Sequence, residues 1–273
     1  MMFDTKRDQF VQSVSWTRAC LFSEIELVNT DSARALLRDV GGRIDAGGAF
    51  AVATLNLDHV VKLRERPDFL AAYRQHDYVV ADGQPVVWLR RIARTPVELV
   101  TGSDLIEPLM ALAAQQDTPV AFLGATEDTL RAAAEVLERR HPGLRIVSRI
   151  APSRGIDPEG PEATDALDDV ARSGARLCLV ALGAPKQELL AARGVSLVPD
   201  CGFVSIGAGL DFVAGHQRRA PRWMRRLALE WLWRFLSDPR RLAARYLACF
   251  RILPGLVWQA LKLRRQQAGP RPR

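Results

Sequence analysis

The chain has 273 residues, with 38 Lys and Arg against 31 Asp and Glu, a formal net charge of +7. This length, with 48% hydrophobic and 25% charged residues, is typical of one large folded domain, or one domain with an appendage, and excludes a disordered chain. The opening residues contain no apolar segment, and no run of about 18 apolar residues occurs anywhere. We therefore expect neither a secretory signal nor a membrane-spanning helix. Four scattered cysteines without C-x-x-C spacing predict reduced thiols rather than disulfides or a zinc site.

Alternating strands and helices follow an opening helix. Helical periodicity covers 30–44, with Thr30 or Asp31 as the predicted N-cap, and Asp58 is predicted to cap the helix after the first strand. Apolar runs predict strands at 50–57, 78–81, 119–124, 144–150, 175–182 and 204–207. Further helices are predicted at 102–116, 127–140, 161–173 and 186–193. This order predicts an α/β, Rossmann-like, largely parallel sheet with helices on both faces.

Small and polar residues follow the predicted strands. Parallel sheets bind ligands beyond the carboxyl ends of their strands. Five strand ends carry such residues: Thr54, Asn56 and Asp58; Asp82 and Gly83; 124–126; 183–188; and 207–211. A ligand cleft explains this clustering, although glycine is also common in any tight turn between a strand and a helix.

The position of Asp82 is compatible with two roles. Asp82 emerges from a buried strand, with Gly83 freeing the turn, and a half-buried carboxylate there is suited to accepting a proton. It is equally compatible with capping the helix that starts near Gln84. Thr54 and Asn56 offer neutral donors to a diphosphate or sugar hydroxyl, or they merely cap the strand end.

Several motifs are missing from the chain. Neither a P-loop nor a G-x-G-x-x-G turn is present, which weakens the case for an NTPase or a dehydrogenase. The four histidines lack metal-ligand spacing, and no Asp-x-Asp motif indicates a divalent cation on a nucleotide diphosphate.

The positive charge lies almost entirely in the tail. Residues 216–273 carry fifteen Lys and Arg against two acids, a balance of +13, and the other 215 residues carry 23 bases and 29 acids, a balance of −6. Four of the six tryptophans also lie in the tail. Basic residues mixed with Trp, Phe and Leu at helical spacing suit an anionic membrane surface. Nucleic acid is the rival partner, but binding a phosphate backbone does not require four tryptophans.

The motifs occur together in a recognisable order. They are TLNLDH (54–59), ADG (81–83), TGSDL (101–105), LGAPKQE (182–188), GAGLDFVAG (207–215), RAP (219–221) and EWLWR (230–234). In this order they resemble the WecG/TagA/CpsF family of glycosyltransferases (glycosyltransferase family 26), over roughly residues 27–246.

The resemblance implies an inverting, metal-independent hexosyltransferase without a cofactor. Such an enzyme moves a sugar from a UDP-sugar to a polyprenyl-diphosphate-linked saccharide in bacterial surface or exopolysaccharide synthesis. It implies a peripheral protein at the cytoplasmic face of the cell membrane, binding anionic lipid and no nucleic acid, with homo-oligomerisation left open.

The resemblance also implies roles for individual residues. Asp82 would be the general base, Thr54 and Asn56 would line the donor and acceptor pocket, and Gln187 would contact substrate. Family members commonly carry Arg at the position of Leu99, where it would neutralise a phosphate or a sugar carboxylate; the departure leaves the donor open.

The basic C-terminal residues are predicted to form a separate appendage that completes the site. Residues 1–215 are predicted to form the catalytic domain and residues 216–273 a basic, Trp-rich membrane-docking appendage. Arg234, Arg241 and Arg245 are predicted to close over the diphosphate, on one helix or on two that meet at Pro239. Truncation before residue 216 is expected to leave a folded body without membrane binding. The alternatives are a basic-tailed nucleic-acid-binding protein and a catalytically idle family member that scaffolds an assembly complex.

Overall fold

The computed structural model describes residues 23–217, 220–221, 224 and 230–267. Its six strands are β1 (Phe50–Leu55), β2 (Tyr78–Ala81), β3 (Pro119–Gly124), β4 (Arg145–Ile150), β5 (Leu177–Ala181) and β6 (Gly202–Ser205). The helices before β4 are α1 (Ala33–Ala46), α2 (Leu57–Glu65), α3 (Pro67–Gln75), α4 (Gln84–Ile92), α5 (Gly102–Gln115) and α6 (Glu127–Arg140). Those after β4 are α7 (Pro161–Arg172), α8 (Lys186–Leu197), α9 (Gly209–Val213), α10 (Glu230–Ser237) and α11 (Pro239–Gln267), and a 3₁₀ turn spans Glu24–Leu27.

All strand pairs are parallel, in the order β2-β1-β6-β5-β3-β4. From β1 the chain passes to β2 at one edge, crosses to β3 and β4 at the other, and returns through β5 and β6 to lie beside β1. The strand order therefore reverses at β1 and β6, where open α/β sheets form their ligand crevice. The predicted Rossmann-like α/β fold is confirmed.

Apolar side chains explain why the strands lie inside the protein. Every residue of β1, β5 and β6 is buried, since helices cover both faces of the sheet. Strand β4 differs, because it lies at the edge and its residues alternate between exposed and half-buried.

Two predicted helix caps were wrong. Ser32, not Thr30 or Asp31, caps α1 by accepting a hydrogen bond from the backbone N–H of Ala35. Asn56 rather than Asp58 caps α2, so Asp58 lies inside the first turn. Each cap lies one or two residues from the predicted position, because several neighbouring residues in each segment have side chains able to cap.

Among the described residues, α10 and α11 are separate helices that meet at Pro239, as one of the two predicted arrangements had it. Trp231 of α10 packs edge-on against Tyr246 and Phe250 of α11. Further along α11, Leu256 and Ala260 are fully buried in the cluster formed with α2, α3 and α4. The second half of α11 thus packs into the core of the α/β body.

Candidate functional site

A cleft of about 710 Å³ opens at the carboxyl ends of β1, β2, β5 and β6. The first turns of α2 and α5 form part of its wall, and residues of α10 and α11 cover one side, Trp233, Leu242 and Tyr246 among them. The cleft therefore lies where the strand order predicts a ligand site, with the C-terminal helices as an additional wall.

Thr54 and Asn56 hold the end of β1 at the cleft. The Asn56 carboxamide accepts a hydrogen bond from the backbone N–H of His59 at 3.1 Å, which starts α2 immediately after the strand. Thr54 is 4% exposed, and its hydroxyl lies 3.5 Å from Oδ2 of Asp82. Asn56 is a helix cap that also lines the cleft, so a capping role and a ligand-binding role are compatible for this residue.

Below this strand end lies a buried polar network that sequence reasoning missed. The carbonyl of Thr54 accepts a hydrogen bond from the Tyr73 hydroxyl at 2.7 Å, and Nδ1 of His59 lies 2.7 Å from the same carbonyl. Burial lowers the pKa of His59 to about 4, so the imidazole is neutral at neutral pH, and its Nδ1 lies 2.7 Å from both this carbonyl and the Tyr73 hydroxyl. These bonds fix the backbone from which Thr54 and Asn56 project.

Asp82 follows β2 directly and is half-buried. Its backbone N–H donates to the carbonyl of Leu55 at 2.8 Å, which ties it to the end of β1. The N-cap position of α4 is occupied by Gly83 at φ 100°, a backbone conformation that favours glycine. Asp82 is not the N-cap, and its side chain lines the cleft instead.

The first turn of α5 forms another wall. Thr101 caps the helix by accepting a hydrogen bond from the backbone N–H of Asp104 at 3.2 Å. A Cβ on Gly102 would lie 2.9 Å from Cα of Ile206, so glycine here allows α5 to approach the end of β6. The N-terminal end of a helix is electropositive and its backbone N–H groups bind anions, so this wall suits a phosphate.

Gln187 is almost completely buried at the start of α8, and both ends of its side chain are engaged. Its Oε1 accepts from the backbone N–H of Gly207 at 3.0 Å, and its Nε2 donates to Oε1 of Glu188 at 2.8 Å. Gln187 therefore holds the turn after β6 while it lines the cleft. Glu188 is fully buried, and burial raises the pKa of its carboxyl to about 7.

A chain of ionic contacts crosses the cleft. The carboxylate of Asp58 binds Nζ of Lys62 at 2.7 Å and Nε of Arg245 at 3.0 Å. Lys62 also donates to the carbonyl of Ala184 at 3.1 Å, in the turn after β5. Three separate parts of the protein, α2, α11 and this turn, are thereby linked.

The structure brings together most of the predicted site residues. Thr54, Asn56, Asp82, Gly183, Gln187 and Arg245 all line the cleft. Gly124 lies outside this lining; its φ of 109°, and the 2.5 Å that would separate a Cβ from the Ala181 carbonyl oxygen, explain the glycine by packing. The positions of Arg234 and Arg241 fall in α10 and α11, but their side chains lie outside the described part of the chain, as does the whole of Trp223.

The sequence placed Asp58 and Glu188 at strand ends without assigning either a role in the site, and it did not select Lys62; Asp58 and Lys62 line the cleft, and Glu188 lies beside it through its bond to Gln187. The burial and pairing of these side chains depend on contacts with distant parts of the chain. Leu99, where family members commonly carry Arg, is partly exposed and lies outside the cleft lining. Within the described ranges, no group of three or more His, Cys, Asp or Glu side chains is arranged to hold a metal ion.

A parallel sheet with a polar cleft at the switch in strand order defines a Rossmann-like α/β protein. Residues 21–268 match the model of the glycosyl transferase WecG/TagA/CpsF family, and the chain belongs to that family. Membership implies a glycosyltransferase of cell-envelope polysaccharide synthesis. The resemblance found in the motifs is thereby confirmed.

Proposed function

We propose that this protein transfers a sugar from a UDP-sugar to a polyprenyl-diphosphate-linked saccharide, with inversion at the anomeric carbon. The observation that carries the proposal is the combination of groups in one cleft. A half-buried carboxylate, Asp82, shares the cleft with the electropositive end of α5 and with the cations of Lys62 and Arg245. A base and an anion-stabilising wall are what such a transfer needs.

Asp82 acts as the general base in this proposal. The acceptor hydroxyl oxygen attacks the anomeric carbon from the side opposite UDP, and Asp82 takes the hydroxyl proton. The bond from the anomeric carbon to the diphosphate oxygen breaks, and its electron pair leaves with UDP. Thr54, 3.5 Å from the carboxylate, and Asn56 beside it position the reacting hydroxyls.

The departing diphosphate needs positive charge nearby. The N–H groups at the start of α5 and the side chain of Arg245 supply it, and Arg234 and Arg241 are proposed to join them. The turn at Gly183 and the Gly207 turn held by Gln187 let backbone approach the ligand closely. Gly124 is left in a structural role.

The exposed surface of α11 supports a membrane location for this reaction. Leu247, Phe250, Trp258 and Leu261 are all exposed. Their offsets of three, eleven and fourteen residues from Leu247, at about 100° each, place them within a sector of about 80° on the helix. Nζ of Lys262 lies 5.4 Å from the ring centroid of Trp258, and Arg251, Arg264 and Arg265 are exposed on the same helix.

An apolar stripe with cations beside it suits the interface of an anionic bilayer. No helix in the described part of the chain has the length and apolarity needed to cross a membrane. We therefore propose that the C-terminal region, residues 216–273, docks the catalytic region, residues 1–215, on the cytoplasmic face of the cell membrane. There the cleft meets a lipid-linked acceptor.

A donor screen tests the proposal. Purified protein is incubated with a panel of UDP-sugars and a polyprenyl-diphosphate saccharide in anionic vesicles, with and without EDTA, and UDP release and the anomeric configuration of the product are measured. We expect one donor to support transfer with inversion in the presence of EDTA. UDP binding without transfer for any donor would favour the scaffold alternative. A gel shift on random DNA together with no vesicle binding would favour the nucleic-acid alternative.

A further inference from the structure

Asp58 occupies an unusual position for an acidic residue beside a cleft proposed to bind a diphosphate. It lies in the first turn of α2, its side chain is only 11% exposed, and each of its two oxygens binds a different cation. A carboxylate here repels a diphosphate unless its charge is already matched. Lys62 and Arg245 together outweigh it by one positive charge, so the cluster as a whole remains cationic.

The two cations belong to different parts of the protein. Lys62 lies on the same helix as Asp58, one turn further on, and also holds the carbonyl of Ala184 after β5. Arg245 lies in the first half of α11, which forms one wall of the cleft through Leu242 and Tyr246. The Asp58–Arg245 pair therefore joins the C-terminal helix to the strand ends at the cleft itself.

The second half of α11 is attached by different means. Leu256 and Ala260 are fully buried in the apolar cluster of the body, and Gln259 accepts a hydrogen bond from Ser23 at 3.2 Å. Apolar burial thus holds the helix at its far end, eleven to fifteen residues from Arg245. The first half, with α10 packed on it, buries only Leu242 and Cys249 among its described residues, and the Asp58–Arg245 pair adds an ionic contact at the cleft.

We propose that Asp58 is a positioning residue that clamps the first half of α11 across the cleft by binding Arg245. It holds Arg245 at the cleft wall, and through Lys62 it couples that wall to the turn at Ala184. The clamp stands on its own geometry, and only its kinetic consequence rests on the proposed function.

The clamp predicts a local change in mobility. In Asp58→Asn the carboxylate is lost while the shape is kept, so we expect amide hydrogens in residues 242–250 to exchange about tenfold faster, the order expected for one charge-assisted hydrogen bond. Residues 256–263 should keep wild-type protection because apolar burial holds them. Hydrogen exchange of the full-length protein, read by mass spectrometry, measures both segments without requiring activity.

Arg245→Gln provides the second variant. Its side chain is 43% exposed, so its removal should leave the fold intact, and the same exchange pattern is expected. Asp169→Asn is the matched control, since Asp169 forms an exposed ion pair with Arg172 on the distant α7 and should change nothing. Unchanged exchange in residues 242–250 in both variants would overturn the clamp.

Kinetics separate a clamp from direct substrate contact. If Asp58 acts through Arg245, each single variant lowers kcat about tenfold with a smaller change in KM, and the double variant is no worse than Arg245→Gln. Additive losses, or an Asp58→Asn protein that is faster than wild type, would overturn the proposal; the second outcome would mean that Asp58 restrains Arg245 from the diphosphate. Absence of transfer in the wild type would count against the proposed function alone, since the exchange result tests the clamp by itself.

Discussion

At the scale of single residues, the function proposed for Asp82 depends on its side chain, and its position depends on its backbone. The N–H of Asp82 donates to the Leu55 carbonyl, a bond that any residue except proline can make. Asparagine has nearly the same shape as aspartate and cannot accept the proton. Replacing Asp82 by Asn therefore removes the proton acceptor without disturbing the sheet.

We predict that Asp82→Asn lowers sugar transfer about 10²- to 10⁴-fold, the usual contribution of a general base, and leaves UDP binding within a few-fold of wild type. Initial rates of UDP release with acceptor present, and calorimetric titration with UDP, measure the two effects. Asp169→Asn controls for the loss of a carboxylate elsewhere. Transfer above about a tenth of the wild-type rate would remove Asp82 from the role of base.

The raised pKa of Glu188 predicts that the free energy of unfolding depends on pH. Burial raises the pKa of its carboxyl from 4.5 to about 7, with Asp58 raising it further and Lys62 opposing. The folded state therefore holds a proton that the unfolded state releases between these values. The resulting stabilisation is complete below about pH 4.5 and is lost as pH rises through 7.

The variant Glu188→Gln cannot titrate, and its amide oxygen can still accept from Gln187. We predict that the free energy of unfolding of the wild type falls by about 3 kcal/mol relative to this variant between pH 4.5 and 7. Burial lowers the pKa of His59 and His76 to about 4, which acts in the opposite direction, but both histidines are present in both proteins and cancel in the difference. Urea unfolding of both proteins at a series of pH values measures this difference. If the free energies of unfolding of the two proteins changed with pH in parallel, the raised pKa of Glu188 would be contradicted.

At the scale of secondary structure, most elements were predictable from apolar periodicity. The predicted strands overlap all six observed ones, because buried parallel strands are short apolar runs with recognisable turns at each end. The N-caps Ser32 and Asn56 were harder to predict, since each segment contains several residues whose side chains are able to cap a helix. The helix α11 continues through Pro254.

The exposed apolar stripe of α11 predicts which side chains meet the membrane. Replacing Leu247, Phe250 and Trp258 together by Ser should weaken binding to anionic vesicles at least about tenfold, because each exposed apolar side chain contributes on the order of 1 kcal/mol or more when it enters the interface. The free energy of unfolding should fall by at most about 1 kcal/mol, since all three are exposed in the folded protein, although the edge-on contact of Phe250 with Trp231 is lost.

Co-sedimentation with vesicles containing anionic lipid measures the loss of binding. Comparison with neutral vesicles shows how much of the binding comes from the basic residues. Leu197→Ser is the matched control, because Leu197 is also exposed but lies on α8. If the triple variant bound anionic vesicles like the wild type, α11 would not be the docking surface.

At the scale of the whole molecule, the rule that ligands bind at strand ends located the cleft and most of its lining. Thr54, Asn56, Asp82, Gly183 and Gln187 follow directly from this rule, because each stands at or just beyond an apolar run. The rule also selected Gly124, which follows β3, whereas the cleft lies at the ends of β1, β2, β5 and β6. A strand's place in the sheet depends on the order of pairing, and a single sequence does not reveal that order.

The rule reached Asp58 and Glu188 but not Lys62, and it could not reveal the ionic contacts of Asp58 or the burial of Glu188. Asp58 pairs with a residue 187 positions further on, and Lys62 binds a carbonyl 122 positions away. Their importance comes from contacts between α2, α11 and the turn after β5 rather than from a local pattern. The same long-range contacts bear on the predicted division of the chain at residue 216.

The buried positions in α11 argue against treating residues 216–273 as readily removable. Truncation before residue 216 would expose the part of the apolar cluster that Leu256 and Ala260 cover, so we now expect it to destabilise the body. Two leucines on this one helix allow a sharper test than truncation. Leu256 is fully buried against the body, whereas Leu247 is 62% exposed.

We predict that Leu256→Ala lowers the free energy of unfolding by about 2–5 kcal/mol, whereas Leu247→Ala changes it by less than about 0.5 kcal/mol. The chemical change is identical and both sites lie on α11, so the difference reports burial against the body. Urea denaturation followed by both tryptophan fluorescence and far-ultraviolet circular dichroism measures it. Coincident transitions are expected in both variants, because α11 and the α/β body share one core. Separate transitions, or a Leu256→Ala protein as stable as the wild type, would instead make residues 216–273 a domain that folds independently of the body.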